Sequence, residues 1–340
     1  MRTTCFGVLA GALIAGSGLH AEMTAVGTAG AQELRIPVGA RMTALSGSNV
    51  SNLVGVEAMF WNPGGLANME GSQASFGNYQ YWADMNMTQF SAGHNFGEKG
   101  AIGIAARVFN VGDLLVTTED MPAGTGETIQ PKFSIVTMGW AKQMTDRVNL
   151  GVNLNLLSEK IKDMHAKGYS LDFGVQVSTP MDGLDFGVVL KNFGPDMSYA
   201  GYGGEQRVVY ETDETGAAHR VARPIYQPFE LPSSFQFGVA YAALEDPANQ
   251  LSFFGTYQSN HHSTDEYRLG TEYSFHNQLF ARAGYVVAAD VAEKQDYLYT
   301  WSAGLGFMLD LGENNMFIDW SYNPNEHFDA SQWYTIRFDF

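Results

Sequence analysis

From about Gln73 onward, apolar and polar residues alternate in segments of roughly ten, the length of a tilted strand that crosses a bilayer. In Tyr169-Ser170-Leu171-Asp172-Phe173-Gly174-Val175-Gln176-Val177-Ser178 every odd position is apolar and every even one is small or polar. Residues 149–156 keep the same period of two. A helical reading scatters Asp172, or Asn149, Asn153 and Asn155, around the whole cylinder, so these segments are strands. The last strand is the most telling. Tyr334, Ile336, Phe338 and Phe340 share one face, and Thr335, Arg337 and Asp339 share the other. Lipid outside and a polar lumen inside demand that division, and the aromatic end serves as the C-terminal assembly signal read by the barrel-assembly machinery.

Fourteen such segments are predicted, at 73–82, 87–96, 101–112, 132–142, 147–158, 168–179, 184–193, 233–243, 250–259, 265–274, 278–288, 297–309, 315–323 and 330–340. One set of connections is tight: 97–100, 144–146, 180–183, 245–249, 275–277 and 310–314. The interleaved set is mostly long: 113–131, 159–167, 194–232, 289–293 and 324–329, with short exceptions at 83–86 and 260–264. Short turns on one side and long loops on the other are the habit of outer-membrane barrels, and an even strand count returns both termini to the periplasmic side. The expected fold is therefore all-β, a 14-stranded antiparallel transmembrane β-barrel over residues 72–340. One internal echo, Leu171 to Val175 against Leu184 to Val188, joins neighbouring strands and signals no tandem repeat.

Residues 32–71 lack sustained alternation and contain Glu57-Ala58-Met59-Phe60-Trp61-Asn62-Pro63-Gly64-Gly65-Leu66. A Pro-Gly-Gly turn inside an apolar stretch makes a poor membrane strand, so this segment is expected to plug the lumen. Its turn, Trp61, Asn62, Pro63, Gly64 and Gly65, is either a hinge that opens a ligand path or a fixed corner.

Composition narrows the functional classes. The 340 residues carry a net charge of −17, and phosphate binding needs clustered Lys and Arg, so no nucleic-acid partner is expected. Mean hydropathy is −0.14 with no apolar run of about 18 residues, which excludes a helical membrane protein and leaves a barrel. Arg2 and the apolar stretch 6–18 read as a secretory signal, with cleavage after Ala21 or after Ala31. The lone Cys5 is lost with it, which leaves no thiol for a disulfide, a metal or a nucleophile.

Strand parity points Arg107, Asp172, Arg268, Glu272, Arg282, Asp319, Arg337 and Asp339 into the lumen. Four cations balanced by four acids suit pairs that hold strands and plug together better than a filter of one sign. The long connections 113–131 and 194–232 offer a partner-binding surface, with Glu119, Asp120, Tyr199, Tyr202, Tyr210, Tyr226 and Phe229 as anchors, or else form a lid over the mouth. His261-His262 with Asp265 is set aside as a metal site, because adjacent histidines on a strand diverge and no third ligand is suitably spaced. Glu211, Asp213 and Glu214 lack calcium-loop spacing. No nucleophile elbow, His-Glu-x-x-His helix or phosphate loop occurs, so neither an enzyme nor a cofactor is expected. Trp82, Trp301, Trp320 and Trp333 fit interfacial girdles.

Several motifs carry a resemblance. Gly39-Ala40-Arg41, Phe60 to Leu66, Trp82-Ala83-Asp84-Met85-Asn86, Glu119 to Gly126, Leu171 to Val175 and Lys191-Asn192-Phe193-Gly194-Pro195 occur in order over residues 39–200. In this the chain resembles the PorV/PorQ group within the FadL-like outer-membrane barrel superfamily. The resemblance implies a plugged fourteen-stranded barrel whose plug turn is Asn-Pro-Ala, where Gly64 here replaces the alanine. For PorV-like members it implies engagement of exported proteins and surface-attachment components in type IX secretion. For FadL-like members it implies passive transport of fatty acids or hydrocarbons across the outer membrane.

Overall fold

The computed structural model describes residues 27–202, 206–208, 220–222, 225–289, 300–325 and 327–340. The signal segment 1–21 and Tyr210 lie outside the described residues. Fourteen long strands follow the N-terminal segment: β1 (Ser72–Gln80), β2 (Asn86–Asn95), β3 (Ala101–Asn110), β4 (Lys132–Thr145), β5 (Val148–Ile161), β6 (Met164–Ser178) and β7 (Leu184–Phe193), then β8 (Ser234–Glu245), β9 (Asn249–Asn260), β10 (Glu266–Phe275), β11 (Leu279–Ala288), β12 (Trp301–Asp310), β13 (Asn315–Asn323) and β14 (Ser331–Asp339). Each is antiparallel to its sequence neighbour. The partnership of β1 with β14, from Gln73↔Asp339 to Gln80↔Gln332, closes the sheet into a barrel with no free edge.

The two faces differ as the alternation requires. On β6, Phe173 points outward and is 44% exposed, while its neighbour Asp172 points inward and is 4% exposed. Phe76, Phe90, Ile104, Met138, Leu190, Phe237, Leu305 and Ile336 continue the apolar exterior around the wall. So continuous an oily surface is tolerable only against hydrocarbon.

Two expectations need correction. The stretch 159–167 is not a loop: β5 and β6 run on as one hairpin to the pair Ile161↔Met164, turned by Lys162 at φ 52°. The outward positions there carry Lys160, His165 and Lys167 in place of apolar residues, so the alternation fades although the ladder continues, while Glu159 and Ala166 stay buried inside. Trp333 is no girdle residue either. It is fully buried inside, stacked 4.8 Å from Tyr79, and its Nε1 donates to Pro37 O at 3.0 Å. The outward parity of Tyr334 already required this.

The N-terminal segment runs through the barrel interior. It comprises short 3-10 turns at Gln32–Arg35, Val56–Phe60 and Pro63–Asn68 and one helical stretch, Ala40–Ala44. Its backbone leans on lumen-facing glycines of the wall. A Cβ on Gly174 would lie 2.1 Å from Asn62 Oδ1, and one on Gly187 would lie 2.1 Å from Val50 O. These are the glycines of the echoed pair of motifs. Each also faces a glycine across the sheet, Gly174 opposite Gly151 and Gly187 opposite Gly238. The absent side chains let the segment approach backbone to backbone.

Candidate functional site: the luminal cavity and its rim

The plug-turn residues are tied to the wall. Asn62 Oδ1 accepts from Gly64 N at 3.0 Å, while its Nδ2 donates to Val50 O at 2.6 Å and to Val175 O of β6 at 3.0 Å. Pro63 opens the following turn with its φ already set. Trp61 Nε1 donates to Val38 O at 2.8 Å, and Gly65 N to Asn62 O at 3.0 Å. Asn153 on β5 adds a bond from Nδ2 to Met59 O at 2.6 Å. The corner is anchored on both sides.

Beside it stands a network of charges. Arg41 places Nε and Nη2 on the two oxygens of Glu272, at 2.9 and 2.8 Å. Glu272 also accepts from Arg282 Nε at 2.5 Å, and Arg282 pairs in turn with Asp319. Four of these groups alternate in sign, and each finds its counterion, which offsets the cost of removing it from water. Arg337 bonds Asp339 at 3.0 Å along the same strand, and Arg268 bonds Glu266 at 2.6 Å. Arg41 was legible only as part of a motif, with nothing in the sequence to pair it with Glu272.

A second group is less saturated. The β6–β7 ladder shifts at Asp172, so that Lys191 and Asn192 both oppose it, with Asn192 at φ 58°. This bulge turns two consecutive side chains inward. Asp172 Oδ1 accepts from Asn192 N and Oδ2 from Asn155 Nδ2, each at 2.8 Å. Lys191 Nζ donates to Phe60 O at 2.7 Å and lies 5.7 Å from the Trp61 ring centre. Arg107 is buried, with its guanidinium 5.4 Å from the Phe60 ring, and its Nε makes no hydrogen bond.

Arg107 and Lys191 border a cavity of about 490 Å³ between the N-terminal segment and the outer rim. Phe60, Trp61, Tyr81 and Trp82 form its aromatic side, and Gln236, Gln258 and Asn260 form part of its polar side. Of its charged lining, Arg35 and Arg268 share Glu266, at 3.7 and 2.6 Å. Arg107 and Lys191 pair with no carboxylate among the described residues. Sequence alone gave Lys191 no role, because strict alternation cannot foresee a bulge.

Above the cavity the outer loop folds inward. Met197 and Phe229 exchange backbone bonds of 2.9 and 2.8 Å, and Phe229 packs on Tyr199 at 5.7 Å between ring centres. Both rings border a buried cluster of Leu34, Ile135, Leu157, Met197 and Leu231. Tyr199 also donates its hydroxyl to Glu159. Glu33, on the N-terminal segment, lies beside that carboxylate; burial and the nearby Glu159 charge push its own carboxyl up to about 8. Tyr199 and Phe229 thus pack inward against that cluster, Tyr226 is half-buried, and Tyr202, Glu119 and Asp120 are exposed. Gln206–Val208 pairs with Arg220–Ala222 as a small hairpin further out.

His261 and His262 lie not on a strand, where they would diverge, but in the bend just beyond the end of β9. Asp265, their neighbour in sequence, instead binds Tyr257 OH at 2.5 Å and Asn260 N at 3.0 Å. The acid beside the two histidines is Glu230, from the long loop.

A closed fourteen-strand barrel with an oily exterior is a fold that can be compared with those of known proteins. No protein-family model matches the chain, and no curated protein matches it. Solved structures do. The CymD monoaromatic hydrocarbon channel aligns at a TM-score of 0.60 and 15% identity, over 89% of this chain and 97% of that one. The Pseudomonas putida toluene transporter TodX aligns at 0.58 and 14%, over 88% and 96%. A Pseudomonas aeruginosa FadL homologue aligns at 0.55 and 10%, over 89% and 98%. What is shared at such identities is the fold. None of these three is named for type IX secretion, so that reading gains no support from them.

Proposed function

We propose that the protein is a non-enzymatic passive transporter of the outer membrane, with both termini periplasmic and the N-terminal segment as its plug. Its substrates are small apolar molecules with an anionic group, fatty acids in preference to plain hydrocarbons. The observation that carries this reading is the cavity of about 490 Å³ bordered by aromatic rings and by Arg107, which is buried with no carboxylate bonded to it among the described residues. A buried cation with no carboxylate bonded to it is costly, and a ligand carboxylate would supply that bond. The hydrocarbon tail then lies along Phe60, Trp61, Tyr81 and Trp82.

Calorimetric titration of the detergent-folded barrel with a long-chain fatty acid and with toluene tests the proposal. The fatty acid should bind, and Arg107→Met should weaken it about tenfold, or about 1.4 kcal/mol, while leaving any toluene binding unchanged. Equal fatty-acid affinity in both proteins would sink the reading.

A scaffold for exported proteins is the second reading, resting on Leu114, Leu115, Met121 and Tyr202, large side chains exposed on the outer loops. A pull-down with the folded barrel that returns exported proteins and no lipid favours it.

A further inference from the structure

We propose that Glu230, His261 and His262 bind one divalent zinc-class metal ion at the outer rim, which fastens the long loop between β7 and β8 to the β9–β10 turn. The three side chains come from two separate loops, and their ligand atoms all lie within 4.8 Å of one another. Glu230 Oε2 is 3.2 Å from His262 Nε2 and 3.8 Å from His261 Nε2. In a tetrahedral zinc site with bonds of about 2.0–2.2 Å, neighbouring ligand atoms stand about 3.3 Å apart. One pair is already at that spacing, and the other two, at 3.8 Å and within 4.8 Å, must close through movement of the exposed side chains.

The three differ usefully in freedom. The side chain of His262 is 3% exposed and fixed by its surroundings, whereas those of Glu230 and His261 are 59% and 63% exposed. A buried imidazole can act as the stationary ligand while two mobile side chains close on the ion. Thr28 Oγ1 lies 3.2 Å from His262 Nδ1, so an Nδ1–H can donate to it and leave the Nε2 lone pair directed at the site. Two imidazoles and one carboxylate favour zinc, copper or nickel over calcium or magnesium, which prefer all-oxygen shells. A fourth, open position would be filled by water. A bare His–Glu ion pair could account for one contact, but not for a second histidine folded onto the same oxygen.

The site also has a consequence. Pro232, two residues from Glu230, and Asn260, next to His261, both line the cavity. An ion held between them would restrain the rim through which any ligand passes. This inference does not depend on the transport reading, since it concerns the metal alone.

The experiment is calorimetric titration of the chelator-stripped, detergent-folded full chain with ZnCl2, followed by hydrogen exchange with and without zinc. One ion per barrel is expected, together with slower exchange at 225–232 and 261–264. Glu230→Gln, His261→Asn and His262→Asn should each weaken binding by more than about tenfold. The first two are exposed and should fold regardless, judged by heat-dependent mobility on a semi-native gel. Absence of stoichiometric zinc binding overturns the proposal. So does binding that survives both Glu230→Gln and His261→Asn, or a preference for calcium over zinc.

Discussion

Two clusters of charge inside the same barrel have opposite character. Near the helical stretch, Arg41, Glu272, Arg282 and Asp319 form a closed series in which every cation has its acid. Near the bulge, Asp172 is occupied by Asn192 and Asn155, and Arg107 and Lys191 face a cavity. The first arrangement is what holds an inner segment against a wall. The second is what recognises something not yet present. Lumen charge by itself therefore carries no function; its degree of neutralisation does.

The largest effect expected comes from breaking the closed series. Glu272→Ala removes the anion shared by the buried Arg282 and the half-buried Arg41 and should cost about 3–5 kcal/mol, read as a lower denaturant midpoint of the barrel in detergent. Arg107→Met should lower that midpoint far less, since it deletes a cation to which no carboxylate is bonded among the described residues. If the two variants destabilise equally, the contrast between the clusters is wrong.

The next effect needs a control on the other side of the wall. Phe173→Arg places a charge in the lipid-facing band and should cost about 2–4 kcal/mol in refolding into vesicles. Asp172→Asn, one residue away but inside, keeps the acceptor for Asn192 N and loses chiefly a charge-assisted bond from Asn155, a cost of about 1 kcal/mol. Equal costs would mean that the faces have been assigned the wrong way round.

How much of this was legible in the sequence depends on solvent. Where a strand has hydrocarbon on one side and the lumen on the other, as in 169–178, every side chain's direction can be read from its parity. Where the outward positions turn polar, as at Lys160, His165 and Lys167, the ladder continues unseen. The inward placement of Glu272, Arg282 and Asp319 follows from parity, but Arg41 as their fourth member does not, because it sits on an aperiodic segment. Lys191 was hidden by a bulge, and Glu230 by the length of loop that separates it from His261. Glycines 174 and 187 could be seen as an echo in the sequence, while their purpose, close approach of the inner segment, needed coordinates. Trp333 shows the reverse failing: residue type suggested a girdle when parity had already placed it inside.

The smallest effect expected concerns the seam next to Arg107, where the N-terminal segment meets the long loop between β7 and β8. Glu33 is buried beside Glu159, with Tyr199 donating to that second carboxylate and Arg107 on the opposing side. Its carboxyl is raised from the ordinary 4.5 to about 8, so between these values the folded protein holds a proton that the unfolded chain has released. Stability must then fall as pH rises across that window. The contribution is complete below about 4.5 and is lost on passing through about 8. Thermal midpoints of the folded barrel measured from pH 5 to pH 9 should therefore decline. Glu33→Gln, which keeps a neutral side chain at every pH, should flatten the slope and raise the midpoint at the alkaline end. Should the variant and the parent decline in parallel, the proton resides on some other group, and the seam is held by packing of Leu34 and Phe229 rather than by a protonated acid.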